Sequence, residues 1–393
     1  MHICIDGNEA NVHNRVGSNV YAYEVLRHLE TLTRNTNDGN WTIVLREPPI
    51  ADMPPEREGW QYQVVGPKPF WTQLALPIHL YLHKNEFDLF FSPGHYAPFV
   101  CPIPTVTTVM DTAYLEFPDH FKPQDLFQLT HWTKKAVSKA KKVIAISKAT
   151  KRSVIGFYKR AAKDVVVAYP GYSHQPHTFS EIEAKQFMTK HQITEPYILF
   201  VGTLQPRKNV SELVAAFEAF RRMVAGRNLK KSGQSKKKLT PTKLVLAGKI
   251  GWLADETLQR ISASTLHENI IQTGYITDAQ KQHLYKHALA TVLLGEHEGF
   301  GLPPLESLAH GTPVVVANHA SLPEVVGNIG ATANPHNPQE VAEELYSLFS
   351  MTARQRAQYR KKAIEHSHTF DWQNTAKIIL KTLQSVVQKT HAN

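Results

Sequence analysis

The sequence predicts an α/β protein made of two doubly wound parallel sheets, and three observations lead there. Short apolar runs that end in polar or turn residues alternate with segments of helical period. The series breaks at a Pro, Gly and His-rich passage, YPGYSHQPHTF at 169–179, and then restarts. At 393 residues the chain is also too long for one typical core and about right for two.

In order along the chain, MHICID alternates and stops at Gly7, as a strand entering a glycine turn does. SNVYAYEVLRHLETL then repeats its apolar positions at helical spacing. WTIVLR, DLFFSPG, TVTTVMD and KVIAIS follow in the first half, and YILFVGT, KLVLAGK, NIIQTGYI, ATVLLGE and TPVVVAN in the second. A boundary is expected near 172–190, giving domains at 1–175 and 190–370. No solenoid-like repeat is visible. In open parallel sheets the loops leaving the carboxyl ends of the strands form the ligand crevice. Two such sheets facing one another are expected to set two groups of these loops across one cleft.

Composition narrows the function classes. Hydrophobic residues are 42% and charged residues 20%, and no apolar stretch approaches the ~18 residues of a spanning helix, so no integral membrane protein is expected. The N-terminus MHICIDGNEANVHNR has neither a basic n-region nor an apolar h-region, and no secretion signal is expected. Cys4 and Cys101 have no metal-ligand or redox spacing and are expected to be packing residues in a reducing cytoplasm.

The net charge of +10 is uneven, since residues 134–163 hold eleven Lys and Arg and no Asp or Glu. The bland reading is a solvated helix face; the sharper ones are attraction to an anionic membrane surface or to nucleic acid. With no zinc spacing, RNP-like aromatics or helix-turn-helix pattern, no nucleic-acid partner is expected. A second basic run, NLKKSGQSKKKLTPTK at 228–243, reads as a mobile surface loop without a function.

The chemistry concentrates in LLGEHEGFGLPPLESLAHGTPVVVAN, residues 293–318. Its strand ends at Gly295, and the next helix begins near Pro303 or Pro304, because proline suits the first helical turn and not the interior. Glu306 is then expected in that first turn and Glu298 in the loop before it. Gly299 and Gly301 permit several N–H groups to turn toward one ligand beside a positive helix end, a site suited to phosphate. Carboxylates there make sense if they bind neutral hydroxyls. Alone, the two acids also read as a favourable first-turn charge and a solvated loop residue.

A second element, VGTLQPRKNV at 201–210, favours the ligand reading. A strand ends at Val201, Gly202 turns the chain, and Arg207 and Lys208 precede a helix that Asn209 or Ser211 is placed to cap. Two cations oppose the helix dipole there, so they fit an incoming diphosphate better than a structural role.

These motifs resemble those of retaining glycosyltransferases of family 4, which have the GT-B fold of two Rossmann-like domains about a cleft. VGTLQPRKN, LVLAGKIGW, TGYITDAQKQHLY, EGFGLPPLESLAHGTPVVVAN and SLPEVVG follow that family's order and spacing. The resemblance implies that Glu298 holds donor-sugar hydroxyls and that backbone groups of Gly299, Phe300, Gly301 and Leu302 meet the sugar and phosphates. It implies that Glu306 binds the ribose, Arg207 and Lys208 clamp the diphosphate, and Tyr275 with Ile276 contact the base. Gly202, Thr203, Gly248 and Lys249 fall in matched donor-side motifs, Gly17 resembles the glycine loop of the first domain, and Asp111 is a further catalytic candidate. FDWQNTAKIILKTLQ implies a final helix, within 371–393, that crosses back onto the first domain. Two positions depart from the common pattern: Met110 stands where many members have histidine, and Thr203 where many have arginine. His95 in FSPGHYAPF is a cleft candidate whose commoner reading is structural.

The implied reaction moves a hexose, of mannose or glucose type, from a GDP- or UDP-hexose to a hydroxyl of a glycan or lipid-linked acceptor. Its setting is the synthesis of cell-surface polysaccharide or glycolipid, in the cytoplasm with peripheral contact at the inner face of the plasma membrane through 134–163. No Asp-x-Asp occurs, so no metal and no cofactor are expected. The rivals are a non-catalytic sugar-nucleotide-binding or assembly protein and, on charge alone, a nucleic-acid-binding protein. The central expectation is that Arg207 and Lys208 from one strand exit, and Glu298 and Glu306 from another, grip opposite ends of one activated sugar.

Overall fold

The computed structural model describes residues 1–36, 39–173, 180–230 and 242–391, with side chains of 227–230 excepted. Most of the run at 228–243 thus lies outside the described residues, although its first residues continue a helix and not a loop. The chain divides into two units, Met1–Gly171 with Phe370–Asn393 and Tyr172–Thr369. Among the described residues no helix is long and apolar enough to cross a membrane.

Unit 1 holds β1 (His2–Asp6), β2 (Asn40–Leu45), β3 (Trp60–Val64), β4 (Leu89–Ser92), β5 (Thr105–Val109), β6 (Lys142–Ala145) and β7 (Val165–Val167). They form one sheet in the order β3-β2-β1-β4-β5-β6-β7, every pair parallel. Every residue of β4 and β5 is buried, which is why these strands read as near-continuous apolar or threonine runs: helices cover both faces. Between the strands run α1 (Ser18–Thr33), α2 (Ala75–Leu82), the short α3 (Ala113–Glu116), α4 (Pro123–Lys139) and α5 (Lys148–Tyr158).

Unit 2 carries α6 (Glu181–Lys190), β8 (Tyr197–Val201), α7 (Val210–Lys230), β9 (Lys243–Ala247), α8 (Asp255–Ser262), β10 (Ile270–Gly274), α9 (Asp278–His287) and β11 (Ala290–Leu293). It continues with α10 (Leu302–Ala309), β12 (Val314–Ala317), α11 (Leu322–Val326), β13 (Ala331–Ala333), α12 (Pro338–Phe349) and α13 (Ala353–Ser367). Its parallel sheet runs β10-β9-β8-β11-β12-β13. The last helix, α14 (Trp372–His391), returns to unit 1 and packs on α1, with the Trp372 and Tyr21 rings 5.7 Å apart edge to face. Gly171 makes that return possible: a Cβ there would sit 2.3 Å from the Trp372 nitrogen.

Both sheets therefore have the doubly wound Rossmann order, with a topological switch at β1/β4 in one and β8/β11 in the other. At a switch, successive crossovers leave toward opposite sides and their exit loops part, opening a crevice at the carboxyl ends of the strands.

Candidate active site

In unit 2 the β8 exit loop carries Arg207 and Lys208 in a single 3₁₀ turn, Pro206–Lys208, and the β11 exit loop carries Glu298. The backbone ties the two loops together, the Glu296 N–H donating to the Arg207 carbonyl at 2.8 Å. Lys208 Nζ donates to Glu298 Oε1 at 2.5 Å, and Arg207 Nη1 lies 3.7 Å from Glu298 Oε2. The residue Glu298 is only 8% exposed, so this ion pair is sheltered from water. Arg207 also donates to the His297 carbonyl at 3.4 Å and to Gln205 Oε1 at 3.2 Å. Two cations share one carboxylate, which leaves this trio with surplus positive charge at the mouth of the switch.

Glycine and serine shape the loop that bears Glu298. At Gly295 a Cβ would lie 2.6 Å from Glu298 Oε1, so only glycine lets the carboxylate fold back toward the cations. Gly301, at φ +115°, turns the chain into α10 where a side chain would meet Leu322 at 2.7 Å. The buried Ser321 hydroxyl lies 2.6 Å from the Glu298 carbonyl and 2.7 Å from the Phe300 carbonyl and donates between them. His319 Nε2 donates to the Glu296 carbonyl at 2.7 Å, and the Glu296 carboxylate meets His336 Nε2 at 3.1 Å. The Phe300 side chain is buried, and Leu302 opens α10 ahead of Pro303 and Pro304.

Two sequence expectations need correction here. Glu306 is the fifth residue of α10, in its second turn, because Leu302 and not a proline starts the helix; the first turn holds no acid. The favourable-dipole reading of Glu306 falls with it, since that effect fades beyond the first turn. Arg207 and Lys208, expected to await a diphosphate as their charge partner, already have one in Glu298, so a structural account of the pair is stronger than the sequence implies.

Glu306 has partners of its own. Lys281 Nζ donates to its Oε1 and the Tyr285 hydroxyl to its Oε2, both at 2.7 Å. Burial opposes the charge on Lys281, but the carboxylates of Glu306 and Asp278 outweigh it and hold its pKa above the ordinary value. Burial, with the Glu306 charge beside it, pushes the Tyr285 hydroxyl well up, so it stays a donor. The Tyr285 ring stacks on His310 at 5.6 Å. Lys281 and Tyr285 were not singled out from sequence; their spacing of four on α9, one face of a helix, is the signal that they act together.

The other donor-side candidates line the ends of β8, β9 and β10. Gly202 and Gly248 lie where the two strands leave the sheet so closely that a Cβ on Gly248 would fall 2.0 Å from the Gly202 carbonyl oxygen. The Leu204 N–H donates to the Lys249 carbonyl, and Thr203 sits between, half-buried. Tyr275 is 56% exposed just past β10, with Lys249 Nζ 4.9 Å from its ring centroid. Ile276 packs on the cluster of Phe187, Leu284 and Tyr285. Asn209 takes φ 54° at the turn into α7, its side-chain amide donating to the Pro335 carbonyl.

The remaining candidates belong to unit 1. Gly17 precedes α1 at φ +51° with open space where a side chain would project. Asp111 Oδ1 accepts from the Ala113 N–H at 3.3 Å at the start of α3, a turn-forming role, and Met110 is buried beside it. His95, in the β4 exit loop, has its pKa lowered by burial, against the opposing pull of Asp111 and Glu9. Of the basic residues at 134–163, Lys142 pairs with Asp164 and Arg160 caps the Ala140 carbonyl, while Lys134 and Lys135 are exposed.

Residues 181–366, nearly all of unit 2, match the family model described as glycosyl transferases group 1. The chain is 28% identical over 271 residues to the O-antigen chain mannosyltransferase B of Escherichia coli, covering 68% of this chain and 67% of that protein. It is 27% identical over 259 residues to the serotype-specific mannosyltransferase WbdA of Escherichia coli, spanning 30% of that longer protein. Among solved structures, Anabaena HepE in complex with UDP and glucose superposes with a TM-score of 0.70 at 19% identity, over 98% of this chain and 100% of that one. Residues 181–366 therefore carry a glycosyl transferases group 1 domain, within a chain whose two Rossmann-like sheets have the fold of GT-B glycosyltransferases.

Proposed function

We propose that the protein is a retaining hexosyltransferase of family 4, moving a hexose from a GDP- or UDP-hexose to a hydroxyl of a glycan or lipid-linked acceptor in cell-surface polysaccharide or glycolipid synthesis. The observation that carries this reading is the trio Arg207, Lys208 and Glu298 at the β8/β11 switch. The mannosyltransferase relatives support a mannose-type sugar, and the UDP bound to HepE keeps uridine in view as the base.

In this reaction the bond from the anomeric carbon to the diphosphate oxygen breaks and its electron pair leaves with the diphosphate. Lys208 and Arg207 neutralise that growing charge, a task that needs no metal. Glu298, relieved of part of its cation contact by the incoming anion, accepts hydrogen bonds from the sugar. Glu306, fixed by Lys281 and Tyr285, accepts from the ribose, with Tyr275 and Ile276 at the base and Gly202, Thr203, Gly248, Lys249 and Gly299 to Leu302 around the phosphates and sugar. Gly17 belongs to the donor-binding set, and Asp111 is a further catalytic residue. The acceptor hydroxyl oxygen bonds to the anomeric carbon on the face the leaving group vacates, which retains the configuration, and its proton passes to the departing diphosphate; the basic 134–163 segment brings the enzyme to an anionic membrane.

A thermal-shift panel of nucleoside diphosphates and their sugars tests this, since a ligand at 100 times its dissociation constant adds about 2.7 kcal/mol of stability. Stabilisation by one nucleotide and its hexose, followed by release of that nucleotide on incubation, supports the transferase. Stabilisation with no release of nucleotide, with or without candidate acceptors, points to the non-catalytic binder. No stabilisation by any of them rejects the reading.

A further inference from the structure

Unit 2 holds a cavity of about 740 Å³ at the end of its sheet opposite the charged trio. Residues of α7, α12 and α13 line it, together with Asn328 and Ile329, which lead into β13. The Val314 N–H, which opens β12, donates to the Tyr359 hydroxyl at 3.3 Å and ties the cavity to the amino end of that strand. The Arg207, Lys208 and Glu298 loops leave the carboxyl ends of the same parallel sheet, so the four-residue β12 alone sets the two places ~13 Å apart. Ligand sites ordinarily enclose about 300–1,000 Å³, and this cavity falls within that range.

Its lining divides by chemistry. Met223, Ile329, Tyr346, Met351 and Tyr359 form an apolar floor; each is half-buried and packs on the core of unit 2, and Phe349 braces Tyr346 with ring centroids 6.2 Å apart. Asn328, Ser347, Ser350 and Gln358 are exposed around that floor, and among the described residues their side chains have no hydrogen-bond partner. Gln355 accepts from the Thr352 N–H at 2.9 Å through its Oε1, which leaves the Nε2 donors for another partner. Lys362 and Glu343, one charge of each sign, complete the lining. A phosphate or nucleotide has no surplus cation to meet here, and an acyl chain would leave the amides and hydroxyls of the rim unpaired. A pyranose suits both parts: its C–H faces are apolar and lie on aromatic rings, while its edge carries neutral hydroxyls for amide and hydroxyl partners.

We propose that this cavity is a non-catalytic glycan-binding site that takes a stretch of neutral oligosaccharide. Sugar rings lie on Tyr346 and Tyr359, and Asn328, Gln355, Gln358, Ser347 and Ser350 bond their hydroxyls. A chain held there stays with the protein between transfers. That the glycan is the one being extended rests on the transferase reading above; the preference of the cavity for a neutral polyol rests on its lining alone.

The test is titration of the full chain with linear manno- and gluco-oligosaccharides, read by calorimetry and by saturation transfer to the sugar protons. Saturable binding to wild type is expected. Asn328→Ala with Gln358→Ala should weaken it at least about fivefold through lost hydrogen bonds, and Tyr346→Ala about tenfold through lost ring contact. Asn328 and Gln358 are exposed, so their variant should melt with wild type, and it decides the matter if Tyr346→Ala does not fold. Oligosaccharide that binds the variants as it binds wild type, or binds none of them, overturns the site. A dimer broken by Asn328→Ala with Gln358→Ala, with no sugar bound, overturns it in favour of pairing between copies. The same variants should keep the thermal shift given by a nucleoside diphosphate, because the nucleotide belongs to the other end of the sheet. If wild type ignores every nucleotide while its oligosaccharide binding is lost in the variants, the transferase reading falls and the glycan site stands. If nucleotide binding and release are intact while the variants bind oligosaccharide normally, the site falls and the transferase stands.

Discussion

The two sheets open at equivalent switch points and put opposite chemistry there. In unit 2 the exits of β8 and β11 bring Arg207, Lys208 and Glu298 into one charged cluster. In unit 1 the exits of β1 and β4 bring Glu9 beside Gly94 and His95, and among the described residues its carboxylate meets neutral donors: Glu9 Oε2 accepts from Asn19 Nδ2 at 2.8 Å and Ser18 Oγ at 3.2 Å. Burial holds His95 toward its neutral form, and burial also raises Asp6, at the end of β1, to a pKa of about 6. The topology decides where a crevice opens, and the side chains at its rim decide what it takes. A cationic rim suits a leaving diphosphate; a rim of hydrogen-bond acceptors such as the Glu9 carboxylate suits sugar hydroxyls.

The largest expected break in this contrast is Lys208→Ala. Removing a preorganised charge-stabilising contact costs about 2.7–4 kcal/mol, or 10²–10³ in turnover at saturating donor. Turnover at the wild-type rate would remove the cation from the chemistry and leave it as the structural partner of Glu298. Next is Glu306→Gln, which keeps the shape but weakens charged hydrogen bonds worth about 1.5–3 kcal/mol. The donor KM should rise tenfold or more with kcat nearly unchanged, and the melting temperature should fall by a few degrees as Lys281 loses its nearer carboxylate. A fall in kcat with KM constant would move Glu306 from binding to catalysis.

How much of this was legible in the sequence follows physical lines. The inner strands of both sheets are apolar on both faces and announce themselves; β3, β7 and β13 do not, and all three lie at sheet edges. Gln61 and Gln63 interrupt β3, while β7 and β13 are three residues each. The loops of the candidate site were legible because proline restricts the backbone and glycine frees it, as at Pro303, Pro304 and Gly301. Side-chain pairing was not, since Lys208 meets Glu298 and Lys281 meets Glu306 across 90 and 25 residues of chain.

On the unit 1 side, Asp111→Asn separates two roles. Asparagine keeps an oxygen for the Ala113 N–H, so the melting temperature should hold, while loss of the charge should lower turnover by about tenfold. Unchanged turnover would leave Asp111 as a turn residue only.

The smallest effect, and the most direct check that the unit 1 rim is poorly solvated, is the pH dependence of Asp6→Asn. Burial raises the Asp6 pKa from about 3.8 to about 6, against the pull of hydrogen bonds from the Asn8 backbone and side chain. Because the folded pKa exceeds the unfolded one, Asp6 contributes stability below about pH 3.8 and loses it as pH rises through about 6. Asparagine does not titrate, and every other group cancels in the difference between variant and wild type. The melting temperature of the variant minus that of wild type should therefore grow between pH 4 and pH 7.5, by a few degrees for a shift worth of order 2 kcal/mol. A flat difference would mean that Asp6 is as well solvated as a surface carboxylate, and the reading of a poorly solvated unit 1 switch would go with it.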